Sequence, residues 1–200
     1  MNRILVVGED DLSCALGQKI LSVALPNWSL AGPLINTRGV TKLSRSIPRY
    51  VKQARFVQPV LCIADTDQDC PVKLLSTWMP MRAEKNFFLR LAVPESESWV
   101  LADRERLAEF FGIAVSQIPH HPEQISDPKR EVLRLARKSK VRQIREEVIS
   151  QTNINKQGSG YNLHLCAFVR DKWRADRASE RSPSLARALH RLAKFGEQQG

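Results

Sequence analysis

The 200 residues predict an α/β fold in which a parallel sheet carries helices on both faces and is followed by a mainly helical, basic C-terminal part. Three observations carry this. Short apolar runs rich in β-branched residues recur at residues 4–7, 60–64 and 87–93, each of the length and composition of a buried strand. Helix-length segments bounded by turn residues separate them, which is the spacing of βαβ units. Each run then ends in carboxylates, at Glu9, at Asp65 and Asp67, and at Glu95 and Glu97, and the carboxyl ends of strands are where open parallel sheets bind ligands.

In chain order, the first strand (Ile4, Leu5, Val6, Val7) meets Gly8, which permits a tight turn, and then Glu9, Asp10 and Asp11. Acids are favoured at a helix N-terminus, and an amphipathic helix is expected from there to about Val23. No Gly-rich dinucleotide or P-loop pattern follows. Leu34 and Ile35 suggest a second short strand. From Arg38 to Arg55, both included, there are six basic residues and no acidic one. Arg38, Lys42, Arg45, Arg49 and Lys52 recur at three- or four-residue spacing, which aligns side chains on a helix face. Pro48 interrupts that stretch, so a loop and then a helix from about Pro48 are expected. The strip reads either as a phosphate-facing surface, with Arg38, Lys42 and Arg45 as nucleic-acid contacts, or as a solvated face.

Val60 to Ala64 form the central strand, which ends in the alternating acids Asp65, Asp67 and Asp69 before Cys70 and Pro71. Carboxylates so close repel one another. A hard divalent cation with oxygen ligands would offset that repulsion; the competing reading is a solvated Asp-rich turn capping the helix expected from Val72 to Met79. An EF-hand is excluded, because its Gly and Glu positions fall on Cys70 and Ser76. A strand at residues 87–93 follows, then a helix with Asp103 as N-cap and Gly112 as its stop. Residues 115–126 read as a linker, in which His120 and His121 lack helical ligand spacing. Asp127 and Pro128 form an N-cap and first-turn pair, and helices are expected at 129–139, 141–150, 163–173 and 184–195. Gly158-Ser159-Gly160 reads as a flexible loop, without nucleophile-elbow spacing. These segments divide the chain into a core over residues 1–115 and a basic helical extension over 116–200 packed on it.

The net charge is +10, and it is unevenly placed. Residues 1–126 hold 14 Lys and Arg against 13 Asp and Glu, whereas residues 127–200 hold 17 against 8. A near-neutral part with clustered acids joined to a basic part suggests a polyanionic partner, nucleic acid above all, with Arg134, Arg137, Arg142 and Arg145 as contacts in the basic half. No apolar run approaches the roughly 20 residues that span a bilayer, so no membrane association is expected, and the opening residues do not read as a secretory signal. The four cysteines are far apart with no CxxC pair, which argues against zinc and for free thiols in a cytoplasmic protein.

With parallel strands, Glu9, Asp65, Asp67 and Glu97 meet on one edge of the sheet, a ligand set for one or two Mg²⁺ (or Mn²⁺) ions acting on a phosphate. A strand ending in Glu and a later strand ending in Asp-x-Asp resemble the Toprim fold of topoisomerases, primases and OLD-family nucleases. The chain more closely resembles the Toprim-related domain of unknown function family 4276 along nearly its whole length. The residues that carry the likeness are Val7-Gly8-Glu9 with Asp11, Ile47-Pro48 with Tyr50, Asp65-Thr66-Asp67 with Cys70-Pro71, the run from Glu97 to Asp103, Asp127-Pro128-Lys129, Tyr161-Asn162, and Ser182 to Leu185. The resemblance implies Glu9 as general acid/base or ligand, Asp65 and Asp67 as Mg²⁺ ligands, Glu97 as an additional ligand, and Lys129 as a transition-state cation. Asp11 is the substitute for Glu9, because many relatives read Val-Glu-Gly at this point, and Asp69 completes the acidic run. A receiver domain shares the opening strand and acidic pair, but it needs a Lys after the last strand, and none follows Val93 in place.

The expected activity is therefore that of a Mg²⁺-dependent nuclease, a phosphodiester hydrolase acting on DNA or tRNA. By the same resemblance it would serve as an antiphage defence effector regulated by an ABC- or AAA-type ATPase partner. The alternative is a non-catalytic subunit of an ATPase complex that binds nucleic acid or a partner.

Overall fold

The computed structural model describes residues 2–79 and 84–199. Five parallel strands form the sheet: β1 (Asn2–Gly8), β2 (Trp28–Leu30), β3 (Ile35–Asn36), β4 (Val60–Asp65) and β5 (Phe87–Ala92). On one side of β1, β2 pairs with its start and β3 with its end; on the other side lies β4, and β5 pairs with β4 over its full length. Alternation along the strands divides the core in two. Ile4, Val6, Leu61, Ile63 and Phe88 face one layer, while Leu5, Val7, Val60, Cys62 and Leu89 face the other.

Helix α1 (Asp11–Ala24) packs on the first face, and α2 (Val40–Phe56) with α3 (Pro71–Trp78) on the second. The chain thus leaves β1 through α1 on one face and returns to β4 through α2 on the other. The C-terminal ends of β1 and β4 flank the crevice where the strand order reverses, the usual ligand-binding position of such sheets.

Helix α2 differs from expectation: it is one 17-residue helix that runs through Pro48. Its buried residues Leu43, Ile47, Tyr50 and Ala54 recur at helical spacing along the sheet. Their burial outweighs the cost of about 3 kcal/mol for an internal proline, and Pro48 is exposed, so its ring displaces no packing.

The remaining helices are α4 (Ser96–Ala102), α5 (Arg104–Phe111), α6 (Pro128–Arg137), α7 (Arg142–Glu147), α8 (Tyr161–Asp171), α9 (Ala175–Ser179) and α10 (Pro183–Glu197). Strand β2 and helices α4 and α9 are additions to the sequence expectation. Helix α5 starts after Asp103 and stops at Gly112, whose φ is 63°; Asp127 and Ser182 cap α6 and α10 through their side chains.

The C-terminal helices complete the first face of the sheet: one apolar cluster runs from Ile4 and Leu16 through Trp99, Leu135 and Phe168 to Phe195. The stretch expected as a linker is pinned to this body, because Arg104 donates to the carbonyls of Ile118 and Val115, each at 3.0 Å. Gly158 also differs from a flexible loop. A Cβ there would lie 2.3 Å from the Glu147 carbonyl oxygen and 2.7 Å from that of Ile149, so glycine is needed for close backbone approach. Among the described residues no helix is long and apolar enough to cross a membrane.

Candidate functional site

The acids gather at the crevice between β1 and β4. Glu9 follows β1 directly, and its Oε2 accepts a hydrogen bond from the backbone N–H of Asp65 at 3.2 Å, which ties the two strand ends together. Gly8 serves this junction by close approach, since a Cβ there would lie 2.6 Å from the Cys14 nitrogen. Asp65 ends β4 almost fully buried. Its Oδ1 accepts from the Ser96 N–H at 2.8 Å and the Ser96 hydroxyl at 2.6 Å. Ser96 opens α4, a wholly buried helix that also carries Glu97. Glu97 is 5 % exposed, and its Oε1 accepts from the Tyr161 hydroxyl at 2.8 Å.

Burial, more than any other cause, raises the protonation constants of these groups. Glu9 is pushed up to about 7 by desolvation, with the charges of Asp10 and Asp67 adding to it. Glu97 is likewise pushed up to about 7 by burial, which the Tyr161 hydrogen bond and the Lys129 charge partly offset. Asp65 lies well above the carboxylate range through burial and its neighbours Glu9 and Glu97. Glu95 is raised by burial too, while its Oε2 accepts from the Lys129 N–H at 3.1 Å. Lys129 is the cation that faces these acids, with its Nζ 5.3 Å from the centre of the Tyr161 ring.

The other candidates take different places. Asp67 is exposed at the rim with φ 47°, and its N–H donates to the Pro94 carbonyl at 3.1 Å. Asp69 is exposed and closes the turn through its N–H to the Thr66 carbonyl. Asp10 caps α1 by accepting from Ser13. Asp11 points away from the crevice: it accepts from Asn36 Nδ2 at 2.6 Å and lines a groove of about 410 Å³ with Cys14, Lys19, Cys166 and Arg170. It is therefore Glu9 that the structure brings to Asp65.

The C-terminal arginines are largely occupied within the chain. Arg134 grips both Glu131 oxygens and the Gln117 carbonyl. Arg137 donates to Asn155 Oδ1 and the Ile154 carbonyl, Arg142 pairs with Glu146, and Arg145 donates to the Ser139 carbonyl. Arg38, with φ 58°, is exposed before α2, and Lys42 and Arg45 are exposed on it.

Ser96, Glu95 and Tyr161 are the site residues that sequence reasoning gave no role. Glu95 reads only as one of the carboxylates that follow the third strand and Ser96 as the residue between them, while Tyr161 lies 64 residues from the acid it contacts and is marked in the sequence only by the family-like pieces.

By residue type the carboxylates suit a hard cation, whose oxygen ligands they could supply, and burial with mutual repulsion holds their ionisation back. Among the described residues, no three His, Cys, Asp or Glu side chains are placed close enough to hold a metal ion. The side chains of Glu9, Asp65 and Glu97 are each turned to a donor within the protein. Set against models of known families, curated proteins and solved structures, the chain matches none.

Proposed function

We propose that this chain is a cytoplasmic, Toprim-like, divalent-metal-dependent nuclease that hydrolyses phosphodiester bonds of nucleic acid. The observation that carries the reading is that Asp65, at the end of β4 where strand order reverses, donates its N–H to Glu9 beyond β1 and is held by Ser96 of α4, the helix after β5 that also carries Glu97. Glu9, Asp65, Asp67 and Glu97 would hold Mg²⁺ or Mn²⁺, which supplies charge neutralisation at the phosphate and acidifies a water.

The chain's own groups supply the rest. Glu9, half-buried and hydrogen-bonded to the Asp65 N–H, would serve either as one of these ligands or as the base that takes a proton from the attacking water. Ser96 orients Asp65 through two hydrogen bonds, and Tyr161 orients Glu97. Lys129, beside Glu95 and Glu97, would meet the charge that develops on the phosphoryl oxygens. Regulation by an ABC- or AAA-type ATPase in antiphage defence enters the proposal from the family resemblance alone; an ATPase gene beside this one is the observation that tests it.

The deciding experiment is metal-dependent cleavage of DNA and of tRNA, with any ATPase partner included. Glu9→Gln keeps the side-chain size and should lose on the order of 10²-fold or more in cleavage, the usual scale of a general acid/base contribution. Cleavage that survives this substitution refutes the assignment. A wild type with no metal-dependent cleavage supports the alternative, a non-catalytic subunit that binds nucleic acid or a partner.

A further inference from the structure

The charge asymmetry of the sequence points to the C-terminal half, yet the structure engages many of those cations internally. Besides Arg134, Arg137, Arg142 and Arg145, Arg170 pairs with Asp171, Arg174 with Asp176, and Arg177 and Arg181 with Glu105. Helix α2 is different. Because it is continuous through Pro48, Lys42, Arg45, Arg49 and Lys52 fall within an arc of about 80° at 3.6 residues per turn. This arc lies opposite the buried Leu43, Ile47, Tyr50 and Ala54. All four cations are exposed, and none has a carboxylate partner among the described residues; the ion pair on this helix is that of Arg55 with Glu84.

Two further features give the strip a direction and an occupant. It begins at the acidic crevice, because the Gly39 N–H at the helix entry donates to the Glu9 carbonyl at 2.7 Å. At the far end, in the middle of the same arc, stands Phe56, 76 % exposed, with the Arg55 guanidinium 5.9 Å from its ring centre. From Lys42 to Phe56 the helix covers about 21 Å. Unpaired cations in a row that ends in a bare aromatic ring match a strand whose phosphates are charged and whose bases are free to stack. A duplex keeps its bases stacked and leaves the ring without a partner.

We propose that the outer face of α2 holds single-stranded nucleic acid, with Lys42, Arg45, Arg49 and Lys52 along the backbone and Phe56 under a base, and leads it to the acidic crevice. The inference deepens the proposed nuclease reading and rests on it for the purpose of the track, but its test does not require cleavage.

The test is fluorescence anisotropy of the full chain with a labelled oligothymidylate, a duplex of equal length and phosphatidylserine vesicles, over a salt series in EDTA. Wild type should prefer the single strand. Replacing Lys42, Arg45, Arg49 and Lys52 by Gln should flatten the log–log salt slope by about 3, at about 0.7 per lost phosphate contact. Phe56→Ala should weaken the single strand about 5- to 150-fold with an unchanged slope. Arg142→Gln with Arg145→Gln should leave affinity unchanged. Both sets of residues are exposed, and circular dichroism confirms that each variant is folded. The inference is overturned by an unchanged slope in the α2 variant, by a duplex preference that Phe56→Ala does not alter, or by binding to vesicles but not to oligonucleotide. A nuclease whose binding ignores α2 overturns this inference alone, whereas α2-dependent binding without metal-dependent cleavage overturns only the proposed function.

Discussion

Glu97→Gln should make the metal-free protein more stable at pH 8 and not at pH 5. The folded protein holds the Glu97 carboxyl at about 7, against an ordinary 4.5, chiefly through burial. The folded state therefore binds this proton more tightly than the unfolded chain. The associated stability is fully present below about 4.5 and is lost as pH rises through about 7. A displacement of this size corresponds to about 3 kcal/mol at pH 8. Gln keeps the acceptor for the Tyr161 hydroxyl, but its buried amide donors give back on the order of 1 kcal/mol. The expected net gain of about 2 kcal/mol should raise the melting temperature by about 4–8 °C for a chain of this length. Asp65 and Glu9 titrate above their ordinary range in the same crevice, so the informative quantity is the difference between variant and wild type. Melts followed by circular dichroism in EDTA at both pH values measure it. An equal shift at pH 5 and pH 8, or a variant less stable at pH 8, would refute the account of a charge held at a cost in a buried crevice.

If the proposed metal site holds, Asp67→Asn should leave the fold intact and lose most of the Mn²⁺ affinity, because it removes one anionic oxygen at the rim; calorimetric titration checks this, and unchanged binding removes Asp67 from the proposal. Gly158→Ala should lower stability by about 2 kcal/mol, because its new methyl meets the carbonyls of Glu147 and Ile149. A denaturation midpoint equal to wild type would show that this turn yields and is not a fixed support for α8.

The strand and helix alternation was legible in the sequence because it is local. The continuous apolar runs of β1, β4 and β5, buried on both faces, the Asp127-Pro128 start of α6 and the Gly112 stop of α5 depend on neighbours a few residues away. Parallel pairing sets the ends of β1 and β4 side by side, so the approach of Glu9 to Asp65 follows from the strand order. The sequence places Glu9 there with Asp11 as its substitute, and the tertiary structure decides between them. Glu9 and Asp11 are two residues apart, and only the packing of α1 on β1 turns the first toward Asp65 and the second toward Asn36.

Long-range contacts decided the rest. Tyr161 beneath Glu97 and Ser96 beneath Asp65 are pairs that no local pattern encodes. The sheet carries α2 through Pro48 because burying its apolar face outweighs a local penalty. The same distinction governs charge. Composition places the positive excess in the C-terminal half, but whether an arginine is free depends on which acceptor folds against it. Arg134 and Arg142 find Glu131 and Glu146 on their own helices, while the outer face of α2 has no acid in its sequence and receives none from the tertiary structure among the described residues.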